Sequence, residues 1–126
     1  MIRVLPKDEL AGFHALDLEG LGHPAAYTPP TGGLVVLEEG ADVLGVAGFH
    51  QDSSDLSRAI LSIFKVSNHH RGQGVGAILM HAALAQARQA GYRHLTSHLM
   101  LWCPDYQSFY RTMGFDLSAN GASRAL

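Results

Sequence analysis

The spacing of apolar residues predicts a chain of alternating strands and helices. Short runs rich in β-branched and aromatic residues predict five strands, at Ile2 to Leu5, Leu34 to Glu38, Val43 to Phe49, Ala59 to Val66 and His94 to Leu101. Near the end, two short runs flank the turn residues Asn120 and Gly121, which predicts a closing hairpin from Phe115 to Leu117 and Ala122 to Leu126.

Helical spacing and helix end signals predict three helices. The first begins at Pro6, the clearest spans Gly74 to Ala90, and a short third runs from Pro104 to Met113. The segments rich in proline, glycine and polar residues, Leu21 to Gly33 and Gln51 to Ser57, are predicted loops.

The resulting order, β-α-β-β-β-α-β-α-β-β, predicts a mixed α/β fold. We expect a mostly antiparallel central sheet with flanking helices and one crossover around the helix that begins at Gly74. At 126 residues the chain has the size of one domain, so residues 1–126 are interpreted as a single domain.

Composition narrows the range of functions. Hydrophobic residues make up 47% and charged residues 16%, as in globular proteins. A net charge of -2 argues against non-specific binding to nucleic acids or anionic membranes. Cys103 is the only cysteine, which excludes an internal disulfide and fits a reducing compartment. With no signal-like or membrane-spanning apolar stretch in the sequence, we expect a cytoplasmic protein.

The sharpest local motif is Arg71-Gly72-Gln73-Gly74-Val75-Gly76, between a predicted strand and the clearest helix. Glycines let a ligand approach the backbone, and a helix start offers unpaired N–H groups beside a partial positive charge. These features favour a phosphate or pyrophosphate site, to which Arg71 adds a charge-assisted contact. A tight turn without a ligand is the alternative.

Two nucleotide-binding patterns fit this motif less well. Gly72, Gly74 and Ala77 match G-x-G-x-x-A, but the acidic residue expected about 20 positions later is missing, because Gln86 to His98 contains no acid. A P-loop would need Gly-Lys-Ser/Thr, which the sequence lacks. A small NAD-binding domain therefore remains only as a rival interpretation.

Two segments together resemble the GNAT family of acyl-CoA N-acetyltransferases. Arg71, Gly74 and Gly76 occupy the fixed positions of that family's R/Q-x-x-G-x-G/A loop. Cys103 to Phe115 is similar to its N-x-x-A-x-x-F/L-Y-x-x-x-G-F segment, with Phe-Tyr-x-x-x-Gly-Phe intact. The detailed resemblance covers residues 58 to 117, and the first half agrees in element order.

The resemblance implies acetyl-CoA as the co-substrate, lying across a gap where two parallel strands splay apart. The matching strands are Ala59 to Val66 and His94 to Leu101. A bulged strand end, matched by Phe64, Lys65 and Val66, would pair with the pantetheine arm, and a backbone N–H near Val66 would stabilise the oxyanion. The pyrophosphate loop is matched by Arg71, Gly72, Gln73, Gly74, Val75 and Gly76.

The second segment implies a general acid. Tyr110 matches the tyrosine that protonates the leaving thiolate, and the alternative is that it only packs on the sheet. Cys103 stands where many members have an asparagine that binds the coenzyme arm, and a thiol is a poor substitute for an amide. Tyr106 stands where alanine is common, so it would crowd or line the coenzyme cleft.

The general base is less clearly indicated. Some members carry a glutamate at the position of Ile60, which cannot accept a proton, and others carry one at the position of His98. An imidazole titrates near neutral pH, so His98 is the candidate base. The alternatives are a half-exposed strand histidine without a role, His50, His94 or a water relay.

The strand from His94 to Leu101 is expected to present two different faces. Its odd-numbered residues (Leu95, Ser97, Leu99 and Leu101) should pack into the core, and its even-numbered residues (His94, Thr96, His98 and Met100) should face the acceptor side. A metal site is not expected, because His94 and His98 would lie about 13 Å apart on a strand.

These features predict an enzyme that moves an acetyl group directly from acetyl-CoA to a primary amine. The acceptor, a small molecule or a peptide terminus, cannot be identified from the sequence, and a homodimer is left open. The alternative is a catalytically weak CoA-binding or partner-binding module of the same fold.

Overall fold

The computed structural model describes residues 2–4, 32–40, 42–67, 74–119 and 121–126. The predicted helix that begins at Pro6 lies outside these ranges. The predicted loop from Leu21 to Gly33 also lies outside them, apart from its last two residues.

The described residues form one sheet and two helices. In chain order the elements are β1 (Ile2–Val4), β2 (Gly33–Glu39), β3 (Asp42–Asp52), β4 (Asp55–Val66), α1 (Val75–Gln89), β5 (His94–Ser97), α2 (Pro104–Thr112), β6 (Asp116–Ser118) and β7 (Gly121–Ala125). The seven strands lie in the order β1-β2-β3-β4-β5-β7-β6. Only β4 and β5 are parallel neighbours, and the other described pairs are antiparallel. The predicted mixed, mostly antiparallel sheet with one parallel pair is therefore confirmed.

The predicted loop from Gln51 to Ser57 is wrong. Instead, β3 and β4 form a tight hairpin that turns at Ser53 and Ser54. The Asp52 carboxylate accepts hydrogen bonds from the Ser54 backbone N–H at 2.8 Å and from its hydroxyl at 2.7 Å. The polar residues that indicated a loop thus stabilise a short turn through local side-chain bonds.

The predicted strand from His94 to Leu101 is too long, because β5 ends at Ser97. Met100 has a φ of 54°, a left-handed conformation that a strand cannot contain, and the Cys103 N–H donates to the Met100 carbonyl at 3.0 Å. The chain turns over residues 98–102. Helix α2 then begins at Pro104, and a proline is well tolerated in the first turn of a helix.

A β-bulge lies in β4 at Ser62. Phe49 of β3 pairs with Leu61, whereas the preceding Gly48 pairs with Ile63, so Ser62 is an extra residue on β4. An extra residue exchanges the two faces of a strand. The residues of β4 that pack in the core are accordingly Ala59 and Leu61 before the bulge and Phe64 and Val66 after it. The sequence resemblance placed the bulged strand end at Phe64 to Val66. In the structure the bulge lies at Ser62, just before that segment.

The main core lies between α1 and one face of the sheet. Its fully buried members come from α1, β2, β3, β4 and β5, and include Leu79, Ala83, Val35, Phe49, Leu61 and Leu95. Leu34, Val36 and Val46 are also fully buried but lie outside this cluster, as expected for residues that alternate to the opposite face. Among the helices of the described ranges, none is long and apolar enough to cross a bilayer.

Gly45 is predicted to be essential for the contact between β3 and its neighbours. A Cβ at Gly45 would lie 2.9 Å from the Lys65 backbone oxygen and 3.0 Å from Leu79 Cδ2. Because a paired backbone cannot retreat freely, Gly45→Ala should lower the free energy of unfolding by about 1–3 kcal/mol.

The matched control is Gly76→Ala, since a Cβ at Gly76 would come no closer than 3.6 Å to Phe109. Alanine is a better helix former than glycine, so this variant should be as stable as the parent or slightly more stable. Urea denaturation followed by circular dichroism measures both. Equal losses in the two variants would contradict the steric account of Gly45.

Candidate functional site

A gap opens between β4 and β5 at their carboxyl ends. The two strands pair from Arg58 opposite His94 to Leu61 opposite Ser97, where β5 ends. On its other edge, β4 remains paired with β3 as far as Val66. Within the described ranges, the edge of β4 from Ser62 to Val66 therefore faces a gap instead of a strand. This is the splayed parallel pair that the sequence resemblance implied.

The alternation of backbone groups identifies which amides face the gap. The Ser67 N–H donates to the Leu44 carbonyl of β3 at 2.8 Å. In an antiparallel pair every second residue bonds to the neighbouring strand, so Lys65 and Ile63 also point toward β3. The N–H and C=O groups of Phe64 and Val66 consequently point into the gap.

The start of α1 lies where β4 leads out of the sheet. Gly74 is its N-cap with a φ of 78°, no side chain caps the helix, and its first turn contains no acidic residue. Within the described ranges, no atom lies within 4 Å of a Cβ built at Gly74. The first backbone N–H groups of α1 have no acceptor within the helix, and the helix dipole is positive at this end, a combination that suits an anion. Val75 contributes only its backbone, because its side chain is buried.

Arg71, Gly72 and Gln73 of the predicted pyrophosphate loop lie outside the described residues. The remaining loop residues are the ones that begin α1. Gly76 brings this first turn close to the gap, because a Cβ there would lie 3.6 Å from Phe109 and 3.9 Å from Phe64. The Phe64 and Phe109 rings are 5.7 Å apart between centroids. The structure therefore brings together the end of β4, the start of α1 and α2.

Tyr110 lies on α2 and is almost fully buried, at 2% exposure. Its hydroxyl donates to the Leu99 carbonyl at 2.8 Å and lies 2.7 Å from the hydroxyl of Ser97, the last residue of β5. Burial raises the pKa of the Tyr110 phenol above its usual value of 10.0, while the Ser97 hydrogen bond opposes part of that rise. A neutral phenol at the closed end of the gap can act as a proton donor.

The other two α2 candidates lie nearer the start of that helix. Tyr106 precedes Tyr110 by one turn, on the same side of α2, and packs partly against the core. Cys103 is the N-cap of α2, and its half-buried thiol is free and makes no capping bond. Their contact with a coenzyme stays a prediction.

The two histidines considered as general base, His98 and His50, lie in different parts of the fold. His98 is exposed and follows β5 instead of belonging to it. Its ring lies against the β6–β7 hairpin, because a Cβ at Gly121 would be 3.0 Å from His98 Cδ2 and Nε2. His50 lies on β3 opposite Ile60, with Nδ1 3.1 Å from the Gln51 carbonyl, which favours a proton on Nδ1.

The expected facing of the residues around β5 holds only in part. Leu95 and Ser97 are fully buried as expected, but Thr96 is also buried and its hydroxyl lies 3.4 Å from that of Ser123. Residues 99 and 101 lie in the turn and are partly buried. Lys65, the middle residue of the predicted coenzyme-binding strand end, is exposed and alternates away from Phe64.

Sequence reasoning missed two serines that shape the site. Ser62 forms the bulge, and Ser97 bonds to Tyr110. The sequence offered one signal for Ser97: it is the only polar residue among the odd-numbered, core-facing residues of the predicted strand from His94 to Leu101. Among the residues that the structure describes, no three histidine, cysteine or acidic side chains converge as metal ligands would.

Comparison with known proteins identifies the family. Residues 5–115 match the model of the Acetyltransferase (GNAT) family, so the chain belongs to this family of acetyltransferases. No curated protein sequence matches the chain significantly.

Solved structures share the fold at low sequence identity. An IAA acetyltransferase from Bacillus cereus is 20% identical, with a TM-score of 0.74, and the match covers 94% of this chain and 78% of that one. Ard1 from Thermoplasma volcanium is 18% identical, with a TM-score of 0.72 and coverage of 100% and 97%. AAC(6')-Iy, in complex with the bisubstrate analog CoA-S-monomethyl-acetylneamine, is 18% identical, with a TM-score of 0.72 and coverage of 92% and 90%. These likenesses establish the GNAT fold.

The buried phenol is predicted to make the protein sensitive to alkali. The unfolded chain releases the Tyr110 proton near pH 10, whereas the folded protein retains it to higher pH, as its raised pKa indicates. The stabilisation is thus complete below about pH 10 and is lost as the pH rises through the folded pKa. Tyr92, whose pKa burial also raises, contributes in the same direction.

The measurement is urea denaturation of the parent and of Tyr110→Phe at several pH values above and below about 10. The free energy of unfolding should fall less steeply with pH in the variant, and Tyr92→Phe should show a comparable change. If the free energy of unfolding fell as steeply with pH in Tyr110→Phe as in the parent, the folded protein would not retain the Tyr110 proton to higher pH than the unfolded chain does.

Proposed function

We propose that this protein is an acetyl-CoA-dependent N-acetyltransferase that acetylates a primary amine. The observation that carries the proposal is the gap between β4 and β5, where the amides of Phe64 and Val66 face the side on which Tyr110 is buried. Membership in the GNAT family and the CoA analog bound to AAC(6')-Iy support acetyl-CoA as the co-substrate.

The residues at the gap fit the chemistry of coenzyme A. An open strand edge needs hydrogen-bonding partners, and the pantetheine arm contains amide groups that can pair with the backbone of Phe64 and Val66. The pyrophosphate would lie at the start of α1, beside Gly74, where no described atom lies within 4 Å of a built Cβ. Arg71 would add charge to that site, and Cys103 and Tyr106 would line the arm's path.

The reaction follows from these positions. A base removes a proton from the acceptor ammonium, and the amine nitrogen attacks the thioester carbonyl. The Val66 N–H stabilises the resulting oxyanion. When the intermediate collapses, the C–S bond breaks and Tyr110 transfers its proton to the departing sulfur. The acetyl group thus moves directly to the amine, without an acyl-enzyme.

We retain His98 as the base in this proposal, with His50 as the alternative. The ring of His98 is exposed and held against Gly121, so it can exchange protons with solvent and meet an incoming amine. The acceptor class is a small molecule or a peptide terminus. Cys103 is a free thiol and the sequence contains no second cysteine, which supports a reducing compartment such as the cytoplasm. Residues 1–126 are proposed to act as a single domain.

An acceptor screen tests the proposal. The purified protein is incubated with acetyl-CoA and a panel of amines and peptides, and the released CoA thiol is quantified together with the acetylated product. We expect thiol release that depends on an amine and equals the product formed. Binding of CoA without turnover of any amine would favour a binding module, and thermal stabilisation by NAD instead of CoA would favour the nucleotide-binding alternative.

Gly74→Val should weaken acetyl-CoA binding. Valine is strained at a φ of 78°, and its branched side chain would project beside the first turn of α1, where the pyrophosphate is proposed to lie. We expect the dissociation constant measured by calorimetry to rise at least about tenfold, and Arg71→Ala to have a smaller effect.

Gly91→Val is the control, because Gly91 has a φ of 95°, likewise no described atom within 4 Å of a built Cβ, and a position at the other end of α1. It introduces similar backbone strain but should leave the dissociation constant unchanged. If both variants bound acetyl-CoA as the parent does, the start of α1 would not be the pyrophosphate site.

Tyr110→Phe should lower kcat on the order of 100-fold with little change in KM for acetyl-CoA, because it removes only the proton donor. Tyr92→Phe removes the hydroxyl of another buried tyrosine, whose ring packs edge-on against Phe49, and should retain activity. Steady-state kinetics below the unfolding temperature of each variant measures both. A kcat equal to that of the parent, when chemistry limits turnover, would reduce Tyr110 to a packing residue.

His98→Gln should abolish most activity and remove the acidic limb of the kcat/KM profile. A neutral imidazole accepts a proton and an imidazolium does not, so the parent should lose kcat/KM as the pH falls. His81→Gln, at an exposed residue of α1, serves as the control. A His98→Gln enzyme with the same limb and full activity would transfer the role to His50 or water.

A further inference from the structure

The Tyr110 hydroxyl belongs to a closed ring of hydrogen bonds that begins and ends on one residue. The Leu99 N–H donates to the Ser97 hydroxyl oxygen at 3.2 Å, and the Tyr110 hydroxyl donates to the Leu99 carbonyl at 2.8 Å. The third bond, 2.7 Å long, joins the Ser97 and Tyr110 hydroxyls.

Counting protons fixes the direction of that third bond. A carbonyl oxygen can only accept, so the single proton of Tyr110 is used toward Leu99. The Ser97 hydroxyl must then donate its own proton to the Tyr110 oxygen. The ring runs in one direction, from the Leu99 N–H through Ser97 and Tyr110 to the Leu99 carbonyl.

The ring of hydrogen bonds is shielded from water. Ser97 is fully buried and Tyr110 is 2% exposed, so neither hydroxyl has water as a ready substitute partner. The ring of Phe115 packs edge-on against Tyr110 at 5.3 Å, and Phe109 packs beside it. Tyr106 is the one titratable side chain that acts on the Tyr110 phenol within the described part of the chain.

The two bonds of the Tyr110 oxygen have different fates in the reaction. When the phenol gives its proton to the departing sulfur, its bond to the Leu99 carbonyl is broken. The bond from Ser97 remains and becomes stronger, because the acceptor is then a phenolate. Without it, a negative oxygen would be left in an apolar surrounding, which is costly.

We propose that Ser97 is a positioning residue for the general acid, whose hydroxyl holds the Tyr110 oxygen beside the gap and stabilises the phenolate formed as the proton leaves. Ser97 keeps its own proton throughout. The proton lost by Tyr110 ends on the CoA sulfur, and the phenolate regains one from solvent after the products leave. The catalytic consequence rests on the proposed function, whereas the effect on Tyr110 ionisation does not.

Ultraviolet titration of tyrosinate tests the inference without any substrate. Subtracting the titration of Tyr110→Phe from that of the parent isolates Tyr110 among the four tyrosines. The same subtraction is made in the Ser97→Ala background, with circular dichroism confirming the fold at each pH. We expect the midpoint of Tyr110 to rise by about one unit or more when the Ser97 hydroxyl is removed.

Ser123→Ala is the matched control, since it deletes a hydroxyl on the neighbouring strand that approaches Thr96 and not Tyr110. It should leave the midpoint unchanged. An unchanged midpoint in folded Ser97→Ala, or an equal shift in Ser123→Ala, would overturn the inference whether or not the protein is an acetyltransferase.

A kinetic cycle provides a second measurement that does not require alkaline pH. With any acceptor found by the screen, Ser97→Ala should lower kcat on the order of tenfold at nearly constant KM for acetyl-CoA. In the Tyr110→Phe background the same substitution should cause no further loss. An equal loss in both backgrounds would mean that Ser97 supports only the fold.

Discussion

The site depends on one extra residue in β4. From Arg58 to Leu61 the strand pairs with both β3 and β5, and after Ser62 it pairs, among the described strands, only with β3. The bulge exchanges the faces of β4, so that Phe64 continues to cover the core while its backbone turns toward the gap. Unpaired backbone groups are costly unless something bonds to them. In the proposed function, the pantetheine arm would lie along this edge and complete the sheet.

The gap also depends on the early end of β5. If the strand continued to Leu101, as its apolar pattern predicts, it would pair with the edge of β4 and close the gap. The left-handed Met100 and the ring of bonds around Leu99 turn the chain away instead. The residues that end β5 therefore also hold Tyr110, which places the candidate acid at the point where the strands separate.

Local patterns predicted the elements well, because periodicity, prolines and glycines act over short stretches of chain. The helix after Gly74, the start of α2 at Pro104 and the closing hairpin all follow from such signals. The bulge at Ser62 was not predictable in this way. Apolar residues occur on both faces of β4, as Ile60 and Ile63 show, so the sequence carries no clear change of phase. The end of β5 depends on hydrogen bonds from α2, which no local pattern records.

The candidate site was predictable where it rests on a motif and not where it rests on packing. Phe64 and Gly76 both lie near Phe109, which neighbours Tyr110 on α2, while the roles that the resemblance implies for them stay predictions. Ser97 was found only from the structure, since its importance comes from a partner 13 residues away. The position of His98 was not predictable from strand alternation, because this residue lies beyond the end of β5.

Amide hydrogen exchange at the end of β4, measured by NMR with and without acetyl-CoA, tests the central claim most directly. The account predicts that the Phe64 and Val66 amides, which face the gap, exchange quickly in the free protein and become protected when acetyl-CoA binds. The amides of Ile63 and Lys65, which face β3, should already be slow and change little. Protection of all four amides before acetyl-CoA is added, or binding that leaves Phe64 and Val66 unprotected, would contradict the account.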